Sequence, residues 1–427
     1  MIPAAPSLKV KLAVIGVLYF AEGLPYGFVV TALSFYLRGQ GVPLEQIGLV
    51  SLLGLAWSFK LLWSPLVDRY GSRAAWLVPA QAVMALCFLA LAHLSSGPVT
   101  PLFFGLVGVL CLASATQDLA ADAYAVDILE AGELGWANGV RNGAYRVGAL
   151  AAGSGLLIAS DYVGWPPALV GAGAMMGVLA LTVLLGPPFR LPRPACHRGR
   201  PGGLAQVAEA VRGLRRLPFF GAIILFTLTF KAGDALMASM VSPFWRDQGF
   251  SGTEFGLVSG LLGSVATIVG GLVGGALTSR WGIGRALWTM GVLQAISNLG
   301  YWVAALPGMG RRVLATLPVP FLGAVVPVYP IHLASQGESL TGGMGSAAFM
   351  AFLMSLCDKR FSAMHYAFFA MLFSFGARIF GYLGGLLAGA LGYPVFFLVS
   401  FLAAWPAFLL LPWVLSVVRE REAGGKG

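Results

Sequence analysis

Twelve stretches of this chain are each long and apolar enough to cross a lipid bilayer, which needs roughly 17–25 residues of helix. They fall at 11–37, 46–67, 75–94, 101–126, 137–159 and 166–187, and again at 218–244, 255–278, 285–306, 327–356, 363–390 and 394–417. Inside hydrocarbon every backbone N–H and C=O must be paired within the protein, and runs of this length satisfy that as helices. The expected fold class is an all-α integral membrane protein of twelve transmembrane helices. Composition agrees, with 58% hydrophobic and only 10% charged residues, where soluble domains carry roughly 25% charged residues. The segment 307–332 holds Arg311, Arg312 and five prolines among apolar patches. It reads as a loop, an interfacial helix or an unwound extension of the tenth helix.

The net charge of +10 does not point to nucleic acid, because the basic residues sit in short loops between apolar runs. With a cytoplasmic N-terminus, eighteen lysines and arginines, Lys9 and Lys11 among them, fall in cytoplasmic loops and tails. Four fall outside (Arg38, Arg246, Arg311 and Arg312) and five lie in or at the edge of helices (Lys60, Arg141, Arg146, Lys231 and Arg378). That bias predicts a multi-pass membrane protein with both ends in the cytoplasm. The first apolar run is too long for a signal peptide and lacks a clear cleavage site. Cys87, Cys111, Cys196 and Cys357 are isolated, without the spacing of a disulfide framework or a zinc site.

The two halves repeat. Residues 38–51, RGQGVPLEQIGLVS, answer residues 246–259, RDQGFSGTEFGLVS, at a constant offset; Arg69-Tyr70-Gly71 answers Arg280-Trp281-Gly282, and Arg146 answers Arg378. The expected domains are a six-helix bundle at 1–187, a basic cytoplasmic linker at 188–217, a second bundle at 218–418 and a cytoplasmic tail at 419–427. Two parallel six-helix halves joined by a basic loop resemble the major facilitator superfamily. The loop SPLVDRYGSR, Ser64 to Arg73, also resembles that superfamily's signature, with Ser64 in place of its first glycine. Gating is therefore assigned to Asp68, Arg69 and Arg73, whose charges can pair across helix ends.

The run ATQDLAADAYAVDIL, Ala115 to Leu129, sets three acids in an otherwise apolar helix. Four residues apart, Asp118 and Asp122 share one helix face; Asp127 is read at about the same angle near the helix end, as a further gating residue. Carboxylates at membrane depth are costly and usually face a cavity or a proton path, so Asp118 and Asp122 are the proton-coupling candidates. Glu22 precedes a Gly and Pro expected to bend or unwind the first helix. Lys60, Lys231, Asp234, Arg146 and Arg378 complete the buried-charge set, the arginines suited to carboxylate or phosphate, or else to structural ion pairs with the acids. Glu338 lies in GESLTGGMGSAAF, whose small residues suit close helix packing. His365 reads as a polar residue satisfied at a helix end or as a titrating group. No nucleophile elbow, Walker loop or HExxH appears, so no cofactor is expected. Movement would then be passive or gradient-driven, with the buried acids as proton acceptors.

Several blocks resemble the muropeptide permeases of the AmpG type, in the peptide/acetyl-CoA transporter family. They are EGLPYGF, FKLLWSPLVDRYG, ATQDLAADAYAVDIL, GAYRVGAL, GFSGTEFGLVSGLLG, RALWTMGVLQAISNLGYW and GGMGSAAFMAFLMSLCDKRFSAMHYA. The resemblance implies a proton-coupled importer of anhydromuropeptides working by alternating access. It assigns Gln117 and Asp118 to substrate and proton, makes Asp122 and Arg146 close neighbours, and lets Glu338 line the second half. The substrate-binding set is then Glu22, Gln117, Tyr124, Arg146, Lys231, Asp234, Glu338 and Arg378. Its partners would be a small-molecule substrate and the bilayer, with no nucleic acid, in a monomer. Met364-His365 departs from the family's frequent Thr-Gln. Siderophore or organic-anion import, drug efflux, a membrane enzyme and a carrier-like receptor are the rival readings.

Overall fold

A computed structural model describes residues 7–70, 72–130, 133–190, 218–319, 324–357 and 362–424. The gaps take in 191–217, so most of the expected linker lies outside the described residues. Among the described residues twelve long helical segments follow one another, with a short helix, Ser64–Arg69, between the second and third. They are α1 Leu8–Gly39, α2 Leu44–Phe59, α3 Arg73–Leu94, α4 Pro101–Ile128, α5 (134–163), α6 Trp165–Leu185, α7 Phe220–Asp247, α8 Gly252–Trp281, α9 Ile283–Ala305, α10 Pro330–Ser355, α11 Ser362–Leu391 and α12 Tyr393–Val418. Eight are long and apolar enough to cross a membrane on their own composition. The four others, α2, α5, α9 and α10, end next to or contain Lys60, Arg141, Gln294 with Asn298, and Glu338 respectively. α2 is itself apolar and falls short only in length, while the polar residues within α5, α9 and α10 are ones that cannot face lipid.

The sequence repeat reappears as matched joints. Gly41 (φ 77°) and Gly249 (φ 79°) stop α1 and α7, and Gly164 (φ 83°) and Gly392 (φ 73°) open α6 and α12 just ahead of a proline at the second helical position. A side chain is strained in that left-handed region, so glycine is needed at each. Contacts divide the chain into two units. The first is built on α1 and α3 to α6 and takes in Phe250–Gly256; the second is built on the later helices and takes in Pro43–Leu52. The first has its core at Val14, Leu18, Leu77, Tyr124 and Phe189. The second has an aromatic core in which Phe230 stacks on Phe349 at 5.1 Å.

Within each unit small residues let backbones touch, the general means of helix association without a hydrophobic drive. In the first unit, a methyl on Gly23 would strike the Tyr145 carbonyl and one on Gly148 the Phe20 carbonyl. In the second, Gly270 abuts the Leu340 carbonyl and Gly274 abuts Met344. Gly270→Ala is expected to lower stability by about 1–3 kcal/mol through overpacking, read as an earlier thermal transition in detergent.

Two expectations are corrected. The first helix is not unwound at Gly23–Pro25; it runs on to Gly27, and the irregularity is a π turn at Phe28–Ala32. A proline deletes one hydrogen bond, which a wide turn just beyond it absorbs. The segment 307–332 is neither a plain loop nor a helix. It carries an antiparallel hairpin, β1 Ala315–Val319 paired with β2 Ala324–Val328, since β-branched residues and prolines favour extended backbone.

Candidate functional site

In the first unit α4 carries the acids on the face that meets the end of α2. The Lys60 ammonium, in a tight turn just after α2, stands 3.7 Å from Asp118 Oδ2 and 3.6 Å from Asp122 Oδ2. The Arg141 guanidinium from α5 reaches Asp122 Oδ1 at 2.8 Å and lies 4.5 Å over the Tyr19 ring. The Tyr19 hydroxyl donates to the same oxygen at 2.6 Å. Glu22, one turn on from Tyr19, interacts electrostatically with Asp118 and Asp122 and has an Oε2 atom that is buried without a hydrogen-bond partner. Accessibility is graded through this group. The Asp118 side chain is 7% exposed, Lys60 30%, Asp122 36% and Arg141 42%. Asp118 therefore closes the inner end of a charged path whose outer end is open, and its own Oδ1 has no partner. Three acids against two cations leave this group one proton short of neutrality, an arrangement that can take up and release a proton.

A second polar group occupies the second unit. Between Thr229 and Ala232 the helical run of α7 is interrupted, and Lys231 at the break donates to Asp234 Oδ2 at 3.3 Å, to Gln294 Oε1 at 2.8 Å and to the Gly342 carbonyl at 3.2 Å. Asn298 donates to Asp234 Oδ1 at 3.5 Å. Glu338 lies one turn before Gly342, and among the described residues its Oε2 accepts a long 3.5 Å bond from Ser339. Gln294 Nε2 and Asn298 Oδ1, one donor and one acceptor, are buried without partners. Such a pair suits a hydroxyl or an amide.

Two ion-pair sites lie at the chain-start end of α1 and the far end of α4. Arg73 Nε pairs with Asp127 Oδ2 at 2.9 Å, both nearly buried, and Arg73 also donates to the Val67 carbonyl. Lys11 is not a free tail residue; it is buried in α1 and donates to Glu133 at 2.8 Å and Glu130 at 3.2 Å. That hydrogen bond holds the Glu133 carboxyl below the usual carboxylate range.

The expected residues are thus sorted. Asp118, Asp122 and Glu22 come together, as do Lys231, Asp234 and Glu338. Asp127 does not share their face: nine residues at about 100° each is two and a half turns, which turns it away to Arg73. The place expected for Arg146 beside the acids is held by Arg141, and Arg146 makes no ion pair among the described residues. Tyr124 packs in the apolar core against Phe189. Gln117 is fully buried with both amide atoms unpartnered, one position round the helix from Asp118. Arg378 lies half-buried in α11. Asp68 and Arg69 end a short helix, Ser64–Arg69, and their side chains lie outside the described residues. Tyr19, Gln294 and Asn298 were missed. Their signal was spacing: Tyr19 lies three before Glu22, and Gln294 four before Asn298, polar pairs on single faces of apolar helices.

The chain belongs to the Major Facilitator Superfamily, whose profile matches residues 15–336, and it is a multi-pass membrane protein of a transporter family. It is 34% identical over 418 residues to the anhydromuropeptide permease of Escherichia coli, covering 94% of this chain and 79% of that one. It is 25% identical to the putative transporter AmpG 4 of Rickettsia conorii over 96% and 97% of the two chains. Among solved structures, the nucleoside transporter NupG superposes with a TM-score of 0.68 at 15% identity, covering 96% of this chain and 99% of that one. The peptide transporter PepTSo gives 0.69 at 12%, covering 98% and 99%. At such identities these two speak for the fold alone.

Proposed function

We propose that this chain imports anhydromuropeptides across the bacterial inner membrane, coupled to protons, by alternating access. The 34% identity to an anhydromuropeptide permease along nearly the whole chain supports the substrate. The observation that carries the coupling is the graded group of Asp118, Lys60, Asp122 and Arg141. In this reading a proton arriving at Asp122 passes to Asp118, and neutralising the inner carboxylate removes the cost of holding its charge away from water. The second polar group would hold the substrate's hydroxyl and amide groups through Gln294, Asn298 and Glu338, with Lys231 fixing their positions. Arg146, which has no acid to pair with among the described residues, would meet a carboxylate on the substrate. Asp127 and Arg73 would latch one state.

The test is uptake into proteoliposomes under an imposed inward proton gradient, with a labelled anhydromuropeptide and a ferric siderophore offered in parallel. Gradient-dependent accumulation of the muropeptide alone is the expected result. Accumulation of the siderophore instead would replace the substrate and leave the coupling; movement of neither would overturn both.

A further inference from the structure

At the junction of α8 and α9 an open groove of about 810 Å³ is lined by Trp281, Arg285, Trp288, Thr289, Leu415 and Val418. Its construction follows from the local sequence, RWGIGRALW. Gly282 (φ 79°) turns the chain sharply between the two helices. Gly284 brings α9 against Leu415, where an added methyl would already touch the leucine at 3.4 Å. The two tryptophans stand on either side at 44% and 42% exposure, while Leu415 and Val418 form a buried apolar floor. Arg285 is exposed, and its guanidinium makes no hydrogen bond or ion pair among the described residues; only its backbone carbonyl is engaged, by the Thr289 hydroxyl at 2.8 Å. The first amides of α9, ahead of the bond from Ala286 N–H to the Gly282 carbonyl, lie at the same end.

We infer that this groove binds the headgroup phosphate of an anionic phospholipid. Three observations favour a lipid over a soluble anion. The groove is walled by indoles, whose amphipathic rings belong at headgroup level. Of the candidate spans, α8 has the least buried apolar stretch, 17%, so the groove opens beside a largely uncovered apolar helix. Its apolar floor is a place for the glycerol and upper acyl carbons, which a free phosphate would leave unused. Arg285 supplies the fork for the phosphate oxygens, and the helix start adds partial positive charge. By the charge bias of the loops this one, with Arg280 and Arg285, falls on the cytoplasmic side, where anionic lipid is drawn to basic residues.

The test is native mass spectrometry of the full chain released from mixed nanodiscs of phosphatidylglycerol and phosphatidylcholine, with glycerol phosphate as the soluble competitor. The wild type is expected to retain phosphatidylglycerol in preference. Arg285→Gln is expected to weaken that retention about fivefold, the equivalent of roughly 1 kcal/mol for one arginine at an anionic surface. Arg285→Lys would recover most of it, and Trp288→Ala would lose it without changing the charge. Arg312→Gln, a control in the segment before the hairpin, would leave it unchanged. Equal retention of the two lipids, full retention by Arg285→Gln, or displacement by glycerol phosphate would overturn the assignment.

Discussion

Asp118→Asn is expected to abolish accumulation of substrate above its external concentration, while the variant protein still inserts and still exchanges label across the membrane. The substitution keeps the size of the side chain and imitates its neutral, protonated form, and removes its charge together with its ability to gain and lose a proton. Asp118 is the member of the charged path furthest from solvent, with Lys60 at 3.7 Å, while Asp122 stands at the path's open end. Lys60 keeps Asp122 at 3.6 Å, which spares it from becoming an unpaired buried cation. Uptake assays under a proton gradient, set beside counterflow assays without one, separate the two functions. Undiminished accumulation by the variant would remove Asp118 from the coupling.

The largest stability effect is expected at Lys231. Its ammonium meets three acceptors from three helices, Asp234, Gln294 and the Gly342 carbonyl, and its side chain is only 11% exposed. Lys231→Met would leave Asp234 as an uncompensated buried charge and free the oxygen of Gln294. Removing one partner of a buried pair typically costs about 3–5 kcal/mol. Adding Asp234→Leu to the same chain removes the orphaned charge, so the double variant is expected to be more stable than the single one. Thermal unfolding of the two variants in detergent measures this directly. A double variant no more stable than Lys231→Met would show that the lysine's worth lies in its bonds to Gln294 and Gly342.

Much of this architecture was legible in the sequence because membranes reduce the choices. Apolar length gave the helices, and the repeat of RGQG and RDQG located the matching glycine joints at 41 and 249. The pairing of Asp118 with Asp122 followed from a spacing of four. What escaped was whatever depends on which neighbouring helix lies opposite. Arg141 and Arg146 are both in α5, and only the packing of α5 against α1 decides that the first meets Asp122. Tyr124 follows Asp122 by two, which turns it by about 200° and into the core. Gln294 and Asn298 were passed over as isolated amides in an apolar run, although their lack of charge is what lets them stay buried and partly unpaired. The hairpin was illegible for another reason: a two-stranded ribbon is marginal by itself, and the β-branched residues that favour extended backbone there are interrupted by prolines, as in a loop.

That hairpin carries proline in each strand, and the register sets Pro318 opposite Val325 and Pro327 opposite Thr316. Lacking an N–H, a proline can stand only where the amide would have pointed away from the partner strand, so each outer border of the ribbon is missing a donor. A third strand arriving from another protein, or from another copy of this one, would find a seam that cannot be stitched. Exposed leucines at 314 and 317 leave the hairpin able to touch a lipid surface. Its prolines keep it from being knitted into anyone else's sheet.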